Sequence, residues 1–268
     1  MEIPDDFGPA AIAGALRTAR FGRHLHYFET AGSTNDIARE LARAGAPEGT
    51  LVLAEEQTRG RGRLGRAWLA PARSCLLFSM VLRPELKVED GFRLTMLCSV
   101  ATAAAVESQT ALSPQIKWPN DLLLDGKKLA GLLSEASALA NRLEYAVVGI
   151  GLNVNFDPRA FSEIAPVATS LQAVLGRPVS RLGLLRELLA EVEGRYSQLF
   201  VESSSGADPL WSEWRRRLGT LGQQVVVTEG ERRESGLAYD VARDGSLLLC
   251  RDDGSEVAIA VGDVTLRT

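Results

Sequence analysis

The chain has 268 residues, 46% of them hydrophobic and 24% charged, with a formal net charge of -4. These proportions belong to an ordinary soluble globular protein and give no overall basic bias toward nucleic acid, so any cationic site must be local. The N-terminal MEIPDDFGPA is acidic where a secretory signal is basic, and no apolar run reaches the roughly 18 residues of a membrane span, so the expectation is a cytoplasmic protein without a membrane partner.

Helical spacing of Ile12, Leu16 and Ala19 predicts a helix over residues 9–20. HLHYFET follows as a strand whose alternation sets His24 and His26 on one face; with no cysteine or carboxylate cluster nearby, a two-histidine metal site has little support. A hydroxyl of Ser33 or Thr34 is expected to cap a second helix that runs through Ile37, Leu41 and Ala44 to Gly45. TLVLAEEQ and SCLLFSMVL read as strands on either side of GRGRLGRAW, which is therefore a loop. A long alanine-rich helix is predicted over residues 91–111 on Leu94, Leu97, Val100 and Ala104.

DLLLD, KKLAGLLSEA and EYAVVGIGLNV then form an antiparallel meander, turning at Asp125-Gly126 and Ala140-Asn141. Helical periodicity returns in RLGLLRELLAEVEGRYSQLF and DPLWSEWRRRLG, with a loop at SSSG near Ser203 between them. From Gly222 onward the pattern is short β runs, VVVT, GLAYDV, SLLLC and EVAIAV, which predict a small SH3-like barrel. The expected class is α+β: a mixed, largely antiparallel sheet with helices over residues 1–220, then the barrel over 221–268. Cys75, Cys98 and Cys250 are odd in number and unrelated in spacing, so they support neither a disulfide framework nor a zinc site.

Chemistry concentrates in three segments. The run from Gly60 to Trp68 joins three glycines to Arg61, Arg63 and Arg66, with Arg59 just before it. Glycine lets backbone approach a ligand and arginine forks match phosphate oxygens, so the loop is suited to closing over a phosphorylated ligand. Its formal G-x-G-x-x-G fails as a dinucleotide fingerprint because Pro71 and a strand follow where a helix should open, and GKKLAG lacks the spacing of a Walker loop. Trp68 suits either the core or a stacked base.

In KWPNDLLLDGKKLAG, Pro119 bends the chain before an amide, Asn120, that could read a base edge and a carboxylate, Asp121, that could hold magnesium. An ordinary turn decorated by lysines is an equally good reading of that segment alone. Lys127 and Lys128 are neighbours on a strand and face opposite ways, so only one can enter a pocket, and Lys128 is the one expected there. In VVGIGLNV, Gly149 and Gly151 leave bare backbone on one strand face, which suggests a ligand or a close helix packed on it.

Taken together, GSTND, GRGRLGRAW, KWPNDLL, KLAGLL and GIGLNVN resemble the motifs of the biotin protein ligases in order and spacing over roughly residues 28–156, and GQQVVV with the closing VGDV is similar to that family's C-terminal barrel. The resemblance implies a class II synthetase-like catalytic domain that activates biotin with ATP to biotinyl-5'-adenylate and passes the biotin to a lysine of a biotin carboxyl carrier protein. It further implies that Ser33, Thr34, Asn35 and Gln57 hold the biotin head group in a pocket shaped by Gly60, Arg61, Gly131, Gly149 and Gly151. Arg63 and Lys128 would serve biotin and the reacting centre. Arg63, Arg66, Trp68, Lys117, Asn120, Asp121 and Asn153 would serve ATP and the adenylate, with Asp121 the magnesium ligand.

About 23 residues precede the first strand, too few for the winged helix of the bifunctional members, so the expectation is a ligase without DNA binding. The family's members include both monomers and dimers, which leaves a homodimer open. Two rivals stand beside this reading. A lipoate or octanoate ligase would share the catalytic fold, and a nucleic-acid-binding module would use the arginine loop on phosphates, although the net charge opposes it.

Overall fold

A computed structural model describes residues 7–199 and 208–266 of the chain. Its centre is a seven-stranded mixed sheet in the order β1-β2-β3-β7-β6-β5-β4. β1 (Leu25–Ala31) runs parallel to β2 (Leu51–Gln57), reached through the crossover helix α2 (Thr34–Arg43). The remaining pairs are antiparallel: β3 (Cys75–Leu82), β4 (Gln115–Lys117), β5 (Asp121–Leu124), β6 (Lys127–Leu139) and β7 (Arg142–Asn153). Every residue of β3 is buried, because the strand is central and covered on both faces, and it accordingly reads as an apolar run broken only by Ser79.

One face of the sheet packs on α3 (Phe92–Thr110) and α5 (Arg181–Gln198), where Leu76, Phe78, Met80, Leu97, Ala101, Leu184 and Leu188 share the main core. The other face carries α2, whose Ala38 and Ala42 meet Val52, Val81 and Val147. The meander has the expected turns, with Asp125, Gly126 and Ala140 at positive φ. None of the helices among the described residues is long and apolar enough to cross a membrane.

Three local expectations need correction. Helix α1 (Pro9–Ala15) stops short of residue 20, because Leu16 is extended and the amides of Ala19 and Arg20 donate to the Glu193 carboxylate on α5, each at 2.7 Å. Strand β1 begins at Leu25, which leaves His24 outside it, its carbonyl accepting from Leu51 N at 2.8 Å. Ser33 is the N-cap of α2 but its hydroxyl does not cap; Gln57 Oε1 takes the Thr34 amide at 2.8 Å instead. The SSSG segment near Ser203, and Phe200 at the predicted helix end, lie outside the described residues.

The C-terminal segment folds as a five-stranded antiparallel sheet in the order β11-β10-β9-β8-β12. Its strands are β8 (Gln224–Glu229), β9 (Arg232–Val241), β10 (Leu247–Cys250), β11 (Glu256–Ile259) and β12 (Asp263–Leu266). Its apolar face does not close on itself alone. Val225, Val227, Leu247 and Leu249 share one core with Met96 and Val100 of α3, with Ile116 and Trp118, and with Trp214 of α6 (Pro209–Arg217). Trp118 is tied twice: its amide donates to Thr220 Oγ1 at 3.0 Å and its Nε1 to the Gly245 carbonyl at 2.8 Å.

Helix α6 is fixed by charge at its end. Arg217 donates to both oxygens of Glu107 on α3 (2.6 and 2.9 Å), and Arg215 to Asp240 on β9 (2.5 Å). The bonds from Arg217 and Arg215 hold the Glu107 and Asp240 carboxyls below the usual carboxylate range. Depressed folded values mean that the stabilisation is present above the unfolded pKa of about 4 and is lost as pH falls through the folded values. Acidification from pH 6 to 2 is therefore expected to loosen α6 below about pH 4, read as a shift in tryptophan emission from buried Trp214, and Glu107→Gln should flatten that transition.

Candidate active site

The described residues line an open cavity between the N-terminus of α2, the arginine loop, β6, β7 and the start of β12. Its floor follows from strand register. Gly131 of β6 lies opposite Gly151 of β7, and the next row sets Leu133 against Gly149, with Ser79 of β3 on the far side of Gly149. The two bare rows are filled from above. The Asn35 amide occupies the space a Cβ at Gly149 would need, and the Trp68 indole occupies that above Gly131 and Gly151.

Beside the glycines stands a polar cluster. Thr34 Oγ1 donates to Gln57 Oε1 at 3.1 Å, and the buried Ser79 hydroxyl lies 2.8 Å from Thr34 Oγ1 and 2.6 Å from Asn35 Oδ1. Ser33 completes this corner, while Phe78, Leu132 and Ile150 supply apolar wall. The combination of apolar lining with a few convergent polar groups is that of a small-molecule site.

The arginine loop folds back on itself as a small hairpin. Trp68 N donates to Gly60 O at 2.9 Å and Gly62 N to Arg66 O at 2.7 Å, around a single 3-10 turn over Arg63–Gly65 in which Leu64 has φ 55°. A side chain at Gly60 would run into the Trp68 carbonyl, 2.8 Å from an added Cβ, so glycine is required at the base of the hairpin.

The hairpin is pinned at both flanks by carboxylates. Arg61 Nη2 lies 2.5 Å from Asp36 Oδ1, Arg66 forms an ion pair with Asp263, and Arg63 Nη1 bonds Asn120 Oδ1 and Gly262 O at 3.2 Å each. At the mouth Lys128 Nζ lies 2.8 Å from Asp121 Oδ1 and 5.4 Å from the centre of the Trp68 ring. The indole Nε1 is buried with no partner among the described residues, so its hydrogen bond is unmet.

Of the residues expected at the site, Ser33, Thr34, Asn35, Gln57, Arg61, Arg63, Arg66, Trp68, Asn120, Asp121, Lys128, Gly131, Gly149 and Gly151 line this one cavity. Three stand off its wall. Gly60 works within the hairpin, Lys117 lies on β4, and Asn153 is buried with its amide donated to Thr169 O at 2.9 Å. Asn153 therefore ties the end of β7 to the neighbouring segment instead of facing the cavity.

Trp68 and the glycines, assigned in sequence to different ligands, are in direct contact. Asp263 was missed: VGDV was noted only as part of the small sheet, and nothing local signals that β12 brings this carboxylate to two loop arginines. No cysteine lines this cavity, and burial pushes Cys75 up to about 11 and Cys98 up to about 12.

The fold and its motifs define a class. Residues 27–153 match the Biotin/lipoate A/B protein ligase family, and residues 220–267 match the Biotin protein ligase C terminal domain. The chain is 36% identical over 252 residues to the Bifunctional ligase/repressor BirA of Bacillus subtilis, covering 94% of this chain and 77% of that relative. It is 34% identical over 249 residues to the Biotin--[acetyl-CoA-carboxylase] ligase of Mycobacterium tuberculosis, covering 90% and 88%. Among solved structures, the biotin protein ligase from Aquifex aeolicus in complex with biotin and ATP superposes with a TM-score of 0.77 at 28% identity, covering 91% of this chain and 99% of that one. The chain belongs to the biotin protein ligase family.

Proposed function

We propose that this cavity is where the protein joins biotin to ATP and then to a carrier lysine, and that the residues above divide the work. The observation that carries the reading is a single cavity in which hydroxyls, amides, a glycine floor, Lys128 and three loop arginines converge. The ureido head of biotin would meet Ser33, Thr34 and Gln57, and its apolar ring and tail would take the space that the Trp68 indole fills above Gly131 and Gly151, with Trp68 moving off the glycines. The tail carboxylate then ends near Lys128.

In the first step the carboxylate oxygen attacks the α-phosphorus of ATP; a new P–O bond forms, the bond to pyrophosphate breaks, and biotinyl-5'-adenylate results. Both reactants are anionic, so Lys128, Arg63 and Arg66 act by offsetting charge that concentrates in the transition state. Their present partners, Asp121 and Asp263, must yield to phosphate oxygens. In the second step the carrier lysine, as a free amine, attacks the acyl carbon, AMP leaves, and an amide remains. The hairpin lies over the site and would keep water from the mixed anhydride until then.

Magnesium fits the donor set. Among the described residues no three carboxylate, histidine or cysteine groups cluster as a metal cage, but Asp121 and Asp263 stand on the cavity wall, and magnesium typically takes one or two carboxylates together with substrate phosphates. When bound, it would be held by Asp121 and phosphate oxygens and would offset triphosphate charge. The carrier is proposed to be a biotin carboxyl carrier protein, in keeping with the acetyl-CoA carboxylase named for the mycobacterial relative. A functional division near residue 220, a cytoplasmic location and the absence of a DNA partner belong to the same reading.

The experiment is exchange of labelled pyrophosphate into ATP. Exchange that requires biotin and magnesium supports the reading; exchange with lipoate or octanoate but not biotin would keep the fold and replace the substrate.

A further inference from the structure

A closed square of charge lies beside the cavity mouth, and no step above uses it. Arg39 and Arg61 both bind the same two carboxylate oxygens: Asp36 Oδ1 lies 2.9 Å from Arg39 and 2.5 Å from Arg61, and Glu135 Oε1 lies 3.1 and 3.8 Å from them. Asp36 and Arg39 sit in the first turns of α2, Glu135 on β6 and Arg61 on the hairpin. Arg39 Nε is buried without a partner, a cost that a casual surface pair does not carry.

The second oxygen of Glu135 turns inward, where Asn35 Nδ2 donates to it at 2.8 Å. Asn35 Oδ1 in turn meets Ser79, and Ser79, Thr34 and Gln57 form the polar floor. Hydrogen bonds thus run from the floor to Glu135 and on through Arg39 and Asp36 to Arg61 of the hairpin, while Glu135 meets Arg61 directly as an ion pair at 3.8 Å. Glu135 itself is off the cavity wall.

We infer that Glu135 is a positioning residue that couples occupancy of the polar floor to the seating of Arg61, and so to closure of the hairpin. This rests on the reading of the floor as the biotin head-group site. A ligand that fixes Thr34 and Asn35 fixes the Glu135 carboxylate, which gives Arg61 one place to dock. Exposed ion pairs contribute little singly, but here one carboxylate is anchored from inside and shared by two guanidinium groups, which makes it a link between two sites.

Glu135→Gln retains the shape and an oxygen for Asn35 while removing the charge that holds Arg61 and Arg39. Biotin affinity, the KM values, kcat and the rate of tryptic cleavage within the hairpin are measured for parent and variant. The expected result is a rise of about tenfold in the Kd and KM for biotin, with kcat and the KM for ATP within about twofold of the parent. Saturating biotin should protect the hairpin from trypsin in the parent and only partly in the variant, which a merely structural role would not produce.

Asp36→Asn, which touches Arg61 from the other side of the square, must shift biotin affinity in the same direction, and it carries the test if Glu135→Gln does not fold. Biotin affinity and protection unchanged in the variants would overturn the inference, as would a loss of kcat at unchanged affinity. A parent protein that fails to bind biotin would overturn the functional reading as well.

Discussion

Lys128→Ala is expected to lower biotin-dependent pyrophosphate exchange by about 10²–10³-fold, the usual effect of removing one preorganised charge-stabilising donor from a transition state. The side chain stands at the mouth of the cavity, 2.8 Å from Asp121 and over the Trp68 ring, where no other lysine lines the wall. Removing it also frees the Asp121 carboxylate beside the incoming triphosphate, so the defect should appear in kcat and in the KM for ATP, with biotin affinity less affected. Lys127→Ala is the control: that neighbour is exposed on the opposite side of β6 and off the cavity wall, and its loss should change exchange by no more than about twofold. Equal losses in the two variants would point to the general charge at the start of β6 and remove Lys128 from the reaction.

The largest stability effect is expected at Arg181. This residue and Glu55 are each 2% exposed, and their guanidinium and carboxylate are 2.6 Å apart. Tyr27 donates its hydroxyl to the same carboxylate at 2.7 Å, and the Phe7 ring lies 4.3 Å from the guanidinium carbon. Arg181→Met fills the space but leaves Glu55 charged in the interior between β2 and α5. Removing one partner of such a pair costs about 3–5 kcal/mol, a large part of the ~5–15 kcal/mol that holds a domain folded. Urea unfolding should show the loss as a lower midpoint with the slope unchanged. Adding Glu55→Gln should recover much of it, because the uncompensated charge is then gone. A loss below about 1 kcal/mol would mean that water or a shifted side chain already satisfies Glu55.

What could be foreseen from the sequence was what short-range chemistry encodes. Strands β2, β3, β6 and β7 announce themselves as apolar runs closed by turns, α3 by its alanine-rich apolar surface, and the site by separate short motifs of glycines, hydroxyls and arginines, each legible within a few residues. Features decided at long range were not visible. The early end of α1 depends on Glu193, far along the chain, which claims the amides a longer helix would have used. The contact of Trp68 with Gly131 and Gly151 depends on how β6 and β7 align, and Asp263 reaches the hairpin only because β12 ends the small sheet beside it. The resemblance places Asn153 on the adenylate, and its amide is donated to Thr169 O, a partner 16 residues further along the chain.

The shared core around Trp118 bears on how this protein can be taken apart. A single residue, Pro119, separates Trp118 from Asn120 and Asp121 at the cavity, while the indole ring is buried among side chains of the C-terminal sheet and bonded to the turn at Gly245. The small sheet is thus less an appendage than a wedge behind the catalytic corner. Chimeras that exchange it between relatives should stay active only when Met96, Val100 and Trp118 are exchanged with it, so the useful unit of recombination cuts across the boundary that chain order suggests.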